Sequence, residues 1–169
     1  MTTARPARVL VTRPAGQAGP WVERLRERGV LAEALPLIEI APAANASSLG
    51  SSWAELATCR LVVFVSANAV LHFFAARPAE LDWPDCVEAG APGSGTAEAL
   101  REAGVPATAI VAPAADAAQF DSESLWARLH GRDWRGARVL VVRGDGGRDW
   151  LAERLVAAGA QVDTVSAYR

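Results

Sequence analysis

The chain has 169 residues, 51% of them apolar and 21% charged, so it can bury a core and is neither disordered nor fibrous. Its net charge of −2 gives no global basic field for nucleic acid, and all 17 basic residues are Arg, which excludes a Schiff-base, P-loop or nucleophilic Lys. Cys59 and Cys86 stand far apart without a C-x-x-C, which fits reduced thiols in a cytoplasmic setting better than a disulfide framework or a zinc site. No apolar run approaches the ~20 residues of a membrane span. Basic residues within 1–8 precede no apolar stretch of the kind a secretory leader needs.

In chain order, residues 8–12 are a short apolar run closed by Arg13-Pro14, which reads as a buried strand ending at a turn. Residues 17–29 carry Trp21, Val22 and Leu25 at helical spacing, with Gly29 as the stop. Residues 30–40 return to strand, and Pro36 marks it as an edge or a crossing between units. A strong strand over 61–65 leads through Ser66-Ala67-Asn68 into a helix reaching Phe74. A weak strand over 87–91 is followed by Gly93-Ser94-Gly95-Thr96 and a helix over 97–103, stopped by Gly104. Then come a strand over 109–112, a loop over 114–118, and a helix capped by Asp121 or Ser122 and running to Leu129. A strand over 139–142, a turn over 143–147, a helix over 149–158 ended by Gly159, and a strand over 162–168 complete the series. Strands alternating with helices of this length predict an α/β protein with a parallel sheet covered on both faces.

Standard motifs are absent. Both Gly93-Ser94-Gly95 and Gly144-Asp145-Gly146-Gly147 lack the third glycine of a dinucleotide loop, and there is no G-x-S-x-G. His72 and His130 have no carboxylate or Cys at metal spacing; His72, in an apolar helix, reads as a packed or half-exposed side chain. Asp145 and Asp149 could form a metal or acid–base pair, but solvated acids at a helix start are the favoured reading. Position carries more information than motif. Four strands end in polar or glycine-rich turns that open helices: at Thr12 and Arg13, at Ser66 and Asn68, at Gly95 and Thr96, and at Arg143 and Gly144. Ligands of open α/β sheets bind beyond the carboxyl ends of the strands, where free helix N–H groups favour anions. These eight residues are therefore the candidate binding set. Plain capping explains any one junction; four of them, two with Arg, favour an anionic ligand.

In order and spacing the sequence resembles the uroporphyrinogen-III synthase family. The match runs from Val9-Leu10-Val11-Thr12-Arg13-Pro14 and Leu37-Ile38-Glu39-Ile40 to Phe64-Val65-Ser66-Ala67-Asn68-Ala69-Val70 and Gly95-Thr96-Ala97-Glu98-Ala99-Leu100. It continues through Phe120-Asp121-Ser122-Glu123-Ser124-Leu125, Val141-Val142-Arg143-Gly144, Gly147-Arg148 and Leu151 to Tyr168-Arg169. The resemblance implies a two-domain enzyme of three-layer α/β domains joined by a two-strand crossing. Residues 1–36 would open the first domain, 37–167 would form the second, and 168–169 would begin the return crossing. Most of the first domain would then be absent, and the chain as it stands is expected to be inactive.

The implied reaction closes hydroxymethylbilane, a polycarboxylate tetrapyrrole, to uroporphyrinogen III, inverting the last ring and losing water. It uses no cofactor or metal, and proceeds through an azafulvene cation and a spiro intermediate. Tyr168, the only phenol, falls where the family places a tyrosine in the cleft, as general acid or as orienter of the departing hydroxyl. The resemblance further implies a monomer in the cytoplasm, handed its substrate by the bilane-forming deaminase, with no nucleic acid or membrane partner. The other reading is a non-catalytic α/β ligand-binding or regulatory domain for an anionic small molecule. Thr12-Arg13-Pro14, where a response regulator would need acids, speaks against one form of it.

Overall fold

The computed structural model describes residues 7–45, 47–114, 117 and 119–169. Of the loop expected over 114–118, residues 115, 116 and 118 lie outside the described residues, as do the first six residues of the chain. The chain divides into two compact units, Met1–Ala41 and Pro42–Arg169.

The first unit is one strand–helix–strand turn. Strands β1 (Arg8–Val11) and β2 (Leu31–Ala34) pair in parallel, and α1 (Ala15–Glu27) connects them. Ala18 and Val22 of the helix bury against Val11 and Ala32, with Leu25 alongside. Gly29, at φ +76, ends α1: its N–H donates to the Arg26 carbonyl and that of Val30 to Leu25. This paired closure needs a left-handed residue, which Gly supplies without strain. The strand expected over 30–40 is shorter than its apolar pattern suggested. The N–H groups of Leu35 and Leu37 still reach the carbonyls of Val11 and Thr12, but Pro36 between them has no N–H to give, and the ladder stops at Ala34.

The second unit is a five-stranded parallel sheet in the order β5-β4-β3-β6-β7. Its strands are β3 (Leu61–Phe64), β4 (Glu88–Gly90), β5 (Ile110–Val111), β6 (Arg138–Gly144) and β7 (Gln161–Tyr168). The expected parallel sheet of 61–65, 87–91, 109–112 and 139–142 is present, with the last strand added beside β6. Side chains alternate between two layers. Val62, Phe64, Leu140 and Val142 point to one face, beneath α2 (Ser47–Ala54), α3 (Ala67–Ala75) and α4 (Ser94–Glu102). Leu61, Val63, Val139 and Val141 point to the other, beneath α5 (Ser122–Leu129) and α6 (Trp150–Ala157).

Two differences from the sequence expectation stand out. The strand over 109–112 is only two residues long, because a 3₁₀ turn (Ala107–Ala109) precedes it and Pro113 follows. Helix α2 is unanticipated: its serines obscured the Leu49–Trp53 spacing that faces the core. Trp53 fixes it, stacking on Phe73 at 4.8 Å and donating its indole N–H to the Phe73 carbonyl at 2.9 Å.

Candidate active site

Strands β3, β4 and β5 step outward in one direction, and the chain then returns to lay β6 on the other side of β3. The chain leaving β3 enters α3 on one face of the sheet, and the chain leaving β6 enters α6 on the opposite face. Two connections that diverge at the carboxyl ends of adjacent strands open a crevice, the usual ligand position in such sheets. Ser66 and Asn68 follow the end of β3, and Arg143 and Gly144 end β6.

Ser66 is the N-cap of α3, its Oγ accepting the Ala69 N–H at 3.1 Å. The same Oγ lies 3.0 Å from the Tyr168 hydroxyl at the end of β7. Each oxygen can donate to the other, so the pair can hold a proton at either atom. The Tyr168 ring stacks with His72 of α3, centroids 5.9 Å apart and planes 26° apart. It also lies against Gly144, where a Cβ would fall 2.7 Å from the tyrosine Cε2. His72 is thus half-buried, as a packed histidine should be, and what it packs on is the tyrosine. Sequence reasoning offered no way to see that contact, because the two residues are remote in the chain.

Arg143 is mostly enclosed, with 22% of its side chain exposed, and its Nε is buried without a hydrogen-bond partner. Its guanidinium pairs with Asp149, the residue preceding α6. The pair makes Asp149 a competitor for any carboxylate that Arg143 would bind, a role not evident when Asp149 reads only as a helix-start acid. Asp145 is exposed and donates its N–H to the Tyr168 carbonyl at 2.9 Å. No cluster of three metal-ligating side chains occurs among the described residues.

The β4 turn contributes Gly95, exposed in the first turn of α4, and Thr96, which at 6% exposure is the one buried polar residue among those described. Asn68 is half-buried in the first turn of α3. Thr12 and Arg13 belong to the first unit, both exposed, with the Arg13 guanidinium 4.9 Å from the centre of the Trp21 ring. Tyr168 therefore touches both Ser66 and Gly144, Arg143 precedes Gly144 in β6, and Gly95 and Thr96 lie in the first turn of α4, beyond β4.

Comparison with known proteins identifies the family. The family model described as "Uroporphyrinogen-III synthase HemD" matches residues 19–169. The uroporphyrinogen-III synthase of Proteus mirabilis is 32% identical over 164 residues, covering 95% of this chain and 79% of that one. That of Escherichia coli is 32% identical over 163 residues, covering 95% of this chain and 64% of its own. The fold matches a mutant uroporphyrinogen III synthase from Thermus thermophilus with a TM-score of 0.68 at 20% identity, over 96% of this chain and 62% of that one. The chain thus spans a little under two thirds of the length of several proteins it matches. No helix among the described residues is long and apolar enough to cross a membrane. By its family match over 19–169 and its identity to these enzymes across nearly its whole length, the chain belongs to the uroporphyrinogen-III synthase family.

Proposed function

We propose that the protein closes hydroxymethylbilane to uroporphyrinogen III, with residues 37–167 as the domain that supplies Ser66, and 168–169, which hold the acid Tyr168, as the start of the crossing back to a first domain opened by 1–36. The observation that carries the reading is the Tyr168 hydroxyl resting on Ser66 at the sheet's crevice, in a chain of this family. The phenol donates its proton to the departing hydroxyl as the carbon–oxygen bond breaks, and water leaves. Ser66 then donates to the phenolate, and the Ala69 N–H that Ser66 accepts strengthens it as a donor. The azafulvene cation is attacked by the substituted carbon of the last pyrrole, giving the spiro intermediate, which opens and recloses with that ring inverted. The final carbon gives up a proton, which restores the phenol. No oxidation state changes, so the route asks for no redox cofactor.

The substrate's carboxylates would meet the α3 and α4 N-termini at Ser66, Asn68, Gly95 and Thr96, and the Arg143 guanidinium once it leaves Asp149. Thr12 and Arg13 bring the same donor chemistry in the first unit. Folding the bilane so that closure takes the inverted path is the larger part of the catalysis. The protein would act as a cytoplasmic monomer fed by the enzyme that makes the bilane.

The test is to give hydroxymethylbilane to residues 1–169 and to the chain extended to the length of its relatives, and to resolve product isomers I and III. Isomer III is expected from the extended chain; isomer I alone, at the uncatalysed rate, overturns the reading. Thr96→Val should weaken product binding in calorimetry by about 1–2 kcal/mol, the cost of one hydrogen bond to a charged oxygen.

A further inference from the structure

Strand alternation would put Ala167 and Tyr168 on opposite faces of the sheet. Both instead pack against the same core layer, the one under α3. The cause is a bulge. Arg143 pairs with Ser166, but the next residue, Gly144, pairs with Tyr168, so Ala167 has no partner across the ladder. The extra residue re-aims the tyrosine toward α3, as bulges beside functional sites do.

Once re-aimed, the phenol is held at every point. Its backbone is fixed by the Asp145 N–H on its carbonyl and by an antiparallel bridge to Pro42. Its ring needs bare space at Gly144, where a Cβ would stand 2.7 Å from Cε2, 2.8 Å from Cζ and 3.2 Å from Cδ2. Gly144 is not among the glycines at positive φ, so close approach and not backbone conformation demands it. The His72 imidazole packs on the ring, and Ser66 receives the hydroxyl.

We infer that His72 and Gly144 are positioning residues whose task is to hold the Tyr168 hydroxyl on Ser66. Gly144 then acts through the tyrosine and not as a substrate ligand. The inference rests on the proposed reaction for the phenol's role, but not for its geometry. Tyr168 is the only tyrosine in the chain, so tyrosine isotope-labelled at Cζ gives a single resonance that reports the hydroxyl's hydrogen bond.

In the wild-type chain, Ser66→Ala should move that resonance. In the Gly144→Ala and His72→Ala backgrounds the same change should move it far less, because the hydroxyl has already left the serine. His72→Phe, which keeps an aromatic ring against the phenol, should restore the response. Equal displacement in all backgrounds would overturn the inference. If Gly144→Ala fails to fold, the half-buried His72 carries the same comparison. In the extended chain, Gly144→Ala and His72→Ala should lower kcat at least tenfold with KM within about twofold, and His72→Phe should recover most of the loss. An unchanged kcat alongside a displaced resonance would leave the clamp standing and overturn the role of the phenol as the acid. A protein that makes no isomer III defeats the proposed reaction, while the resonance coupling still decides the clamp.

Discussion

The two parallel sheets of this chain are built from the same strand–helix–strand logic, yet they bury their strands very differently. In β3 every residue is 0% exposed, covered by helices on both faces and by strands on both edges. In the first unit Leu10 and Leu31 are each 50% exposed, and Leu37 and Ile38 are more open still. One helix over two strands covers one face of a sheet and leaves the other face and both edges bare. The apolar pattern of residues 8–12 and 31–38 is that of a sheet buried on both sides, which is more cover than the first unit provides within itself.

Core truncation should separate the two regions most sharply. Phe64→Ala, which empties a site packed by Phe73, Phe74 and Trp83, should cost about 3–5 kcal/mol in urea unfolding. Leu10→Ala should stay within about 0.5 kcal/mol. Similar losses from both would mean that the first sheet is as well covered in solution as the second. A smaller effect comes from the cap. Ser66→Ala should destabilise the protein by about 1 kcal/mol by thermal or urea unfolding, because α3 loses the acceptor for its Ala69 N–H. A loss near zero would show that water caps the helix equally well.

The smallest effect is a pH dependence. The Ser124 backbone N–H donating to Asp121 at the start of α5 holds that carboxyl below the usual carboxylate range. Its contribution is therefore present above the ordinary carboxylate pKa and lost as pH falls through the lowered folded value. Asp121→Asn keeps a capping acceptor without the titration. The melting temperatures of wild type and variant should differ at neutral pH and converge in acid. Parallel curves would show that the charge contributes nothing.

Much of the second unit was legible in the sequence because β3 and the middle of β6 are continuous apolar runs, glycines stop several of the helices, and parallel order follows from the helices between the strands. The short ends were not legible. Pro36 and Pro113 cut strands that apolar residues alone would have extended, and the serines of α2 disguised a helix whose core face is only Leu49 and Trp53. In the site, the junction residues were readable as turn chemistry, and Tyr168 entered through resemblance. The bulge at Ala167 leaves no trace in composition or period, and it decides which neighbours the tyrosine meets. His72 and Asp149 gained their significance only from partners brought up by the fold.

The strand order also bears on how the protein emerges from the ribosome. β3 pairs with β4, which follows soon after it, but its other edge waits for β6, made only after α3, β4, α4, β5 and α5. During that interval Leu61-Val62-Val63-Phe64 is an apolar strand with an open edge, the kind of segment that recruits another chain. Closing the gap joins residues far apart in the chain, and loop closure over such a distance is slow. The most protected strand of the finished molecule is thus the most vulnerable one in the nascent chain, and aggregation during synthesis should begin there.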